Sequence, residues 1–297
     1  MSEEKIMAEK IIFSKFSNDR AEQYCIVTEI IQDCENRFIR KRALNNKAQQ
    51  HVKNIVLAEK KLNEIYSNSI FHANEIIASG DDYVDLKYID GTNFENILDS
   101  YLDKKDLDGL YTAISHFFEE MNKCEIQPFA STEGSEFYFG KHEELKDLPA
   151  VSYANLDHIF QNVIEDKNGC WNVIDYEWTV DCMVPVRFIQ YRSLYLYVYG
   201  ASKRHSLIEN DIFARFGYTS DETAVFDEME QHFQAVIKDG HKQIGDYYHM
   251  LGKPAVPVGQ IVNIMEERSR KKTIEVYYDD GTGFTEDKKY IYLLEYR

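Results

Sequence analysis

Apolar and polar residues alternate along the first part of the chain, and then the period changes. In "EQYCIVTEII" the alternation sets Tyr24, Ile26, Thr28 and Ile30 on one face. "RFIRKRAL" alternates again, with Phe38, Arg40 and Arg42 opposed to Ile39 and Lys41. Side chains that switch faces at every residue predict strands over residues 10 to 45. Between Lys47 and Tyr66 the period is helical, with Ala48, Val52, Ile55, Val56, Leu62 and Tyr66 on one side. Glu59 falls inside that stripe, about 20° short of two full turns from Val52. A carboxylate centred on a buried face calls for a cation. "DYVDLKYIDG" then reads as a strand leading to Gly91.

From Asn93 onward the pattern is mostly helical. "NFENILDSYL" and "DLDGLYTAISHFFEEMN" have helical spacing, with Asn93 and either Asp106 or Asp108 as N-caps. Residues 125 to 150 read as irregular. "FQNVIEDKNGCWNVID" predicts two short strands joined at Asn168-Gly169, a dipeptide that accepts the positive φ of a tight turn. "VRFIQYRSLYLYVY" predicts a buried helix, and "DETAVFDEMEQHFQAVIKDGHKQIGDYYHML" a long one kinked at Gly240. "GKPAVPVGQ" carries two of the five prolines and marks a boundary. The strand-like tail beyond it is too short to fold alone, so it packs on the main domain or opens a further one.

Composition narrows the function classes. A formal charge of -17 argues against nonspecific binding to nucleic acid or anionic lipid, though a local basic pocket for a small anion remains compatible with it. No apolar run is long enough to span a membrane. The start, "MSEEKIMAEK", lacks the basic and apolar regions of a signal peptide. Cys25, Cys34, Cys124, Cys170 and Cys182 are an odd set without CxxC spacing, which fits reduced thiols and a cytoplasmic location.

Two aspartates sit badly with their neighbours. Asp157 lies between Leu156 and an Ile-Phe pair after His158, and Asp175 ends the apolar run through Trp171, Val173 and Ile174. Asn162 is five residues after Asp157, and Asp175 follows the predicted hairpin. This layout resembles the catalytic loop and metal site of protein-kinase-like enzymes, with "NLDHIFQN" in the place of H-R-D-x-x-x-x-N and "IDYE" in the place of D-F-G. The resemblance implies that Asp157 orients or deprotonates the acceptor hydroxyl. It implies that Asn162 and Asp175 hold Mg2+ beside the phosphates of ATP. It also asks for a strand lysine paired with a helix glutamate. Lys41 lies on a predicted strand, and Glu59 is the misplaced acid of the following helix. "DLKYIDG" stands as the hinge, with Lys87, Tyr88 and Ile89 against adenine. The implied fold is α+β and bilobal, protein-kinase-like, with a strand-rich N-lobe at 1–90 and a helical C-lobe at 91–255. Residues 256–297 would be a linker and the start of a further β-rich segment.

Departures from the kinase pattern indicate a subclass. Asn155 and Leu156 replace the His and Arg of the catalytic loop, Glu177 replaces the glycine after the metal aspartate, and no A-P-E follows. These changes resemble small-molecule and sugar kinases of the aminoglycoside phosphotransferase and lipopolysaccharide kinase type. No glycine-rich loop precedes Lys41; the turn "FSNDRAEQY" offers Ser17, Asn18 and Arg20 to phosphate instead, although a surface turn has the same composition. The wider pattern is similar to kinase-like modules of bacterial O-antigen and surface-polysaccharide enzymes, which are fused to methyltransferase or glycosyltransferase domains. The resemblance therefore implies phosphoryl transfer to a hydroxyl of a sugar or surface-glycan end. The alternative is a pseudokinase that scaffolds or regulates a multidomain glycan-modifying enzyme, and the missing glycine-rich loop supports it. A carbohydrate-binding module with an aromatic surface is a third reading. His158 reads as structural or substrate-facing, Glu177 and Trp178 as shaping the acceptor site, and Arg187 and Arg192 as partners of acids within the fold.

Overall fold

The computed structural model describes residues 9–240 apart from positions 18, 19, 35 and 125. The chain opens with β1 (Lys10–Ser17), β2 (Ile26–Asp33) and β3 (Asn36–Ala43), followed by helix α1 (Gln49–Ile65). β4 (Phe71–Ala73), β5 (Ile76–Ser79) and β6 (Tyr83–Lys87) come next. Five of these strands form an antiparallel sheet in the order β1-β2-β3-β6-β5. Lys41 pairs with Thr28 on one side and Val84 on the other, at the centre of the sheet. Its face also carries Ile39 and Ala43, which join the core. α1 buries Val52, Ile55, Ala58 and Leu62 at the expected helical spacing.

β7 (Gly91–Asn93) carries the chain into α2 (Phe94–Asp103) and α3 (Leu107–Met121). Asn93 caps α2 by accepting from the Glu95 N–H, and Asp106 caps α3 by accepting from the Gly109 N–H. The stretch expected to be irregular contains β8 (Gln127–Pro128), helix α4 (Glu133–Phe139) and β9 (Pro149–Val151). A reciprocal capping box between Thr132 and Ser135 starts α4 despite its glycine. The segment that bears Asp157 and Asp175 follows as β10 (Ala154–Asn155), the hairpin β11 (Val163–Asp166) and β12 (Trp171–Val173), then β13 (Thr179–Val180) and β14 (Val184–Pro185). Helices α5 (Val186–Gly200), α6 (Ser206–Glu209), α7 (Ile212–Arg215) and α8 (Ser220–Lys238) complete the described chain.

The architecture is therefore α+β, with a strand-rich N-lobe and a helical C-lobe. A second sheet, ordered β4-β12-β11-β7, ties the lobes together. In it β4, directly after α1, runs parallel to β12. At the hairpin tip Asp166 Oδ1 accepts from the Asn168 and Cys170 N–H groups, and Gly169 takes φ +78°. Gly91 has a different constraint, since a Cβ there would stand 2.2 Å from the Glu165 carbonyl oxygen. The hinge therefore lies directly against β11.

α8 differs from expectation. It stops at Lys238, because Asp239 and Gly240 both turn left-handed, and the part of the predicted helix from residue 241 on lies outside the described residues. All described residues belong to one unit, Met1–His241. The expected boundary near 255 and the segment 256–297 lie outside the described residues.

Candidate active site

Two short pairings build the site. β10 pairs with β13, setting Ala154 opposite Val180 and Asn155 opposite Thr179. The Leu156 N–H donates to the Trp178 carbonyl at 2.9 Å, and the Ile174 N–H to the Asn162 carbonyl at 2.8 Å. The loop bearing Asp157 and the loop bearing Asp175 are thus bound to each other on both sides. Asn155 completes the join: its Nδ2 donates to the Asp175 carbonyl and its Oδ1 accepts from the Asp157 N–H, both at 2.9 Å. Asn162 Nδ2 donates to the Asp157 carbonyl at 3.0 Å. That fixes the rotamer and makes its amide oxygen the atom that could serve as a ligand.

Asp157, Asp175 and Glu177 each offer an oxygen within 4.8 Å of the others. Lys41 Nζ donates to Asp175 Oδ1 at 2.6 Å and is itself buried. Burial works against the Lys41 charge, but the charges of Asp175 and Glu177 outweigh it and raise its pKa. Glu177 is buried too. Burial opposes its ionisation, yet Lys41, a hydrogen bond to His51, and Arg20 hold its carboxyl well below the usual range. Asp157 goes the other way: burial, then the neighbouring Asp175, push it up to about 7 despite Arg192. Three crowded carboxylates, one of them short of compensating charge, form a hard oxygen donor set that suits a divalent cation such as Mg2+. Asp175 and Glu177 would hold it, with Asn162 alongside.

Arg20 crosses from the N-lobe turn and donates to Glu177 Oε2 at 3.1 Å, while its guanidinium lies 5.0 Å from the centre of the Trp178 ring. His51 Nε2 meets the same Glu177 oxygen at 3.3 Å. Arg192, on α5, donates from Nε to the Leu156 carbonyl at 3.1 Å and reaches Asp157 Oδ1 at 3.5 Å. Its other arm is held by Glu230 of α8.

The residues proposed from sequence are not all in one place. Lys41, Asp157, Asn162 and Asp175 converge. Glu59 does not join them: Lys41 pairs with Asp175, and among the described residues the hydrogen bond that Glu59 accepts is from the Asn63 amide, at 3.5 Å. The expected Lys41–Glu59 ion pair is therefore replaced, because the strand lysine points at the carboxylates of the C-lobe. Ser17 is buried at the end of β1. Arg20, expected at phosphate, is engaged with Glu177. Asn18 lies outside the described residues. At the hinge, Lys87 is exposed with its ammonium on Glu75 and its carbonyl held by Asn74 Nδ2, so that oxygen is already used. The main-chain groups of Tyr88 and Ile89 make no hydrogen bond among the described residues, which leaves them open to an adenine ring. Sequence reasoning underrated Glu177 and missed Asn155 as the join between the loops. The signal for Glu177 was its place two residues after Asp175, but Arg20 and His51, which hold it, are distant in sequence.

No protein-family model matches the chain, and no curated protein matches it in sequence. Among solved structures the chain is similar to the gentamicin–APH(2")-IIa complex, at 13% identity and a TM-score of 0.40, over 75% of this chain and 91% of that one. It is also similar to choline kinase LicA from Streptococcus pneumoniae, at 16% identity and a TM-score of 0.42, over 80% of this chain and 89% of that one. LicA in complex with AMP aligns at 18% identity with a TM-score of 0.41, over 83% of this chain and 89% of that one. At this distance the functional reading rests on the chain's own side chains.

Proposed function

We propose that this chain is an ATP- and Mg2+-dependent phosphotransferase acting on a hydroxyl of a small molecule, with a sugar or surface-glycan end as the acceptor class. One observation carries the reading: a buried strand lysine and three carboxylates from two mutually bonded loops meet at one point. The bound cation would neutralise charge on the transferring group. Lys41 would pass from Asp175 to the phosphates, leaving Asp175 and Glu177 to the cation. Asp157 sits where an acceptor hydroxyl needs orientation, and its raised pKa suits a group that takes a proton near neutral pH. Positioning and preorganised charge would supply most of the rate. Tyr24, His51 and Trp178 pack against one another beside Glu177 with ring centroids 5.0 to 5.3 Å apart, and His51 and Trp178 are buried, so these rings brace the Glu177 loop and the acceptor class rests on the resemblance of the catalytic loop.

The test is thermal unfolding with ATP, with and without Mg2+, followed by transfer of the γ-phosphoryl group to a panel of sugars. A Mg2+-dependent stabilisation of roughly 5 °C or more is expected near saturation, lost in Asp175→Asn. An Asp175→Asn protein with undiminished turnover would sink the assignment. Wild type that binds ATP–Mg2+ without transfer to any acceptor would favour the pseudokinase reading, in which Arg20 remains on Glu177 as a structural bridge.

A further inference from the structure

Behind the hinge, Glu59, Asn63, His72, Asn74, Glu75 and Lys87 line a cavity of about 450 Å³. None of Lys41, Asp157, Asp175 or Glu177 reaches it, although Ile89 of the hinge lies in its wall. Asn74 is only 2% exposed. Three of its polar groups are satisfied: the N–H donates to the Val173 carbonyl at 3.0 Å, Nδ2 to the Lys87 carbonyl at 2.9 Å, and its own carbonyl accepts from the Tyr176 hydroxyl at 2.8 Å. The fourth, Oδ1, is buried and has no partner among the described residues. A buried acceptor without a donor is uncommon and marks a missing partner.

Glu59 lies on the same cavity and has no ion pair among the described residues, only the long contact with Asn63. The nearby Lys87 ammonium is taken by Glu75 at 3.1 Å. The two unmet groups are thus both acceptors, and one is a carboxylate. What they lack is a donor with positive charge.

We propose that this cavity binds a small molecule through a protonated amine that pairs with Glu59, with Asn74 in the cavity wall. Such a ligand would explain an acid within the apolar stripe of α1 that has no role at the carboxylate cluster. It would also have leverage. Asn74 joins the hinge carbonyl of Lys87 to the hydroxyl of Tyr176, and Tyr176 lies between Asp175 and Glu177 in sequence. An occupant would therefore bear on both the hinge and the metal loop; that consequence, unlike binding itself, rests on the phosphotransferase reading.

Calorimetric titration of the full chain without nucleotide tests this, with putrescine as the probe and 1,4-butanediol as its uncharged counterpart. Saturable binding of one putrescine is expected, with none of the diol. Glu59→Gln should weaken it at least roughly tenfold, the worth of a charged hydrogen bond. Ser67→Trp, an exposed position at the cavity, should block binding while leaving both acceptors in place. A chain of charge -17 attracts amines diffusely. Binding that survives both substitutions, or no saturable binding at millimolar putrescine, overturns the proposal. Asp175→Asn should keep the putrescine site while losing the response to ATP and Mg2+. Wild type that binds putrescine but never ATP would sink the phosphotransferase reading and leave this site standing.

Discussion

Lys41 Nζ and Asp175 Oδ1 lie 2.6 Å apart although 134 positions separate them in sequence. The lysine comes from the centre of the N-lobe sheet and the aspartate from the loop after β12. With Glu177 and Asp157 beside it, this lysine offsets much of the negative charge of the site. The pair therefore contributes both to stability and to the proposed phosphate site.

Lys41→Met keeps the length of the side chain and removes its charge. Three carboxylates then share a buried site without their main cation. Removing one partner of a buried pair costs roughly 3–5 kcal/mol, and that loss is expected here at pH 8. At pH 5 Asp157 carries a proton in the folded protein, and the loss should be smaller. Urea unfolding at both pH values measures this. Equal destabilisation at the two would show that packing, not charge, sets the cost.

Much of this arrangement was legible because it is local in sequence. The strand period located Lys41, the five-residue spacing tied Asp157 to Asn162, and the Asn168-Gly169 turn placed Asp175 beside them. Helical phase singled out Glu59 correctly as an acid in an apolar stripe. It could not say which partner would approach, since phase gives an angle about the helix axis and not a neighbour. The structure sets Glu59 on the cavity behind the hinge. Glu177 was underrated because its partners Arg20 and His51 lie 157 and 126 positions away. The end of α8 was misjudged because left-handed Asp239 looks like any other acid in a list of residues.

Arg192 reaches Asp157 at 3.5 Å while bonding the Leu156 carbonyl and Glu230. Arg192→Lys retains a charge but cannot serve all three at once. The expected result is a loss of turnover on the order of 10- to 100-fold, with the KM for ATP little changed, because Asp157, the proposed acceptor-orienting group, loses its position. Glu230→Gln should show a milder form of the same split. A rise in KM for ATP with unchanged kcat would instead place Arg192 in nucleotide binding.

His158 is buried among Tyr66, Phe71 and Phe117, with Nδ1 3.2 Å from the Tyr66 hydroxyl and Nε2 without a partner among the described residues. Burial lowers its pKa to about 3. The unfolded chain protonates it near 6.5, so folding requires a neutral ring. Stability from this residue is full above about pH 6.5 and is lost as pH falls from there toward about 3. His158→Gln keeps a polar group for Tyr66 and removes the titration. It should be less stable than wild type at pH 8, with the difference narrowing by pH 4.5. A constant difference across that range would exclude His158 as a source of acid sensitivity.

Asp157 has the opposite linkage. Its folded pKa of about 7 stands above the unfolded value near 3.9. The native state thus binds a proton that the unfolded state has released. Stability is greatest below about pH 4 for this group and is lost as pH rises through about 7. Asp157→Asn removes the cost of ionisation and keeps the shape. The substituted protein, free of nucleotide and metal, should therefore melt above wild type at pH 8 and by a smaller margin at pH 5, while losing phosphotransferase activity at both. In wild type, activity should rise with pH toward neutrality as Asp157 ionises. Mg2+ favours the ionised form, so the midpoint of that rise should lie below the midpoint of the stability change in the metal-free protein. Melting curves and rate profiles over pH 5 to 8 decide it. An Asp157→Asn protein that melts below wild type at pH 8 would show that this carboxylate stabilises the fold and is not held there for chemistry.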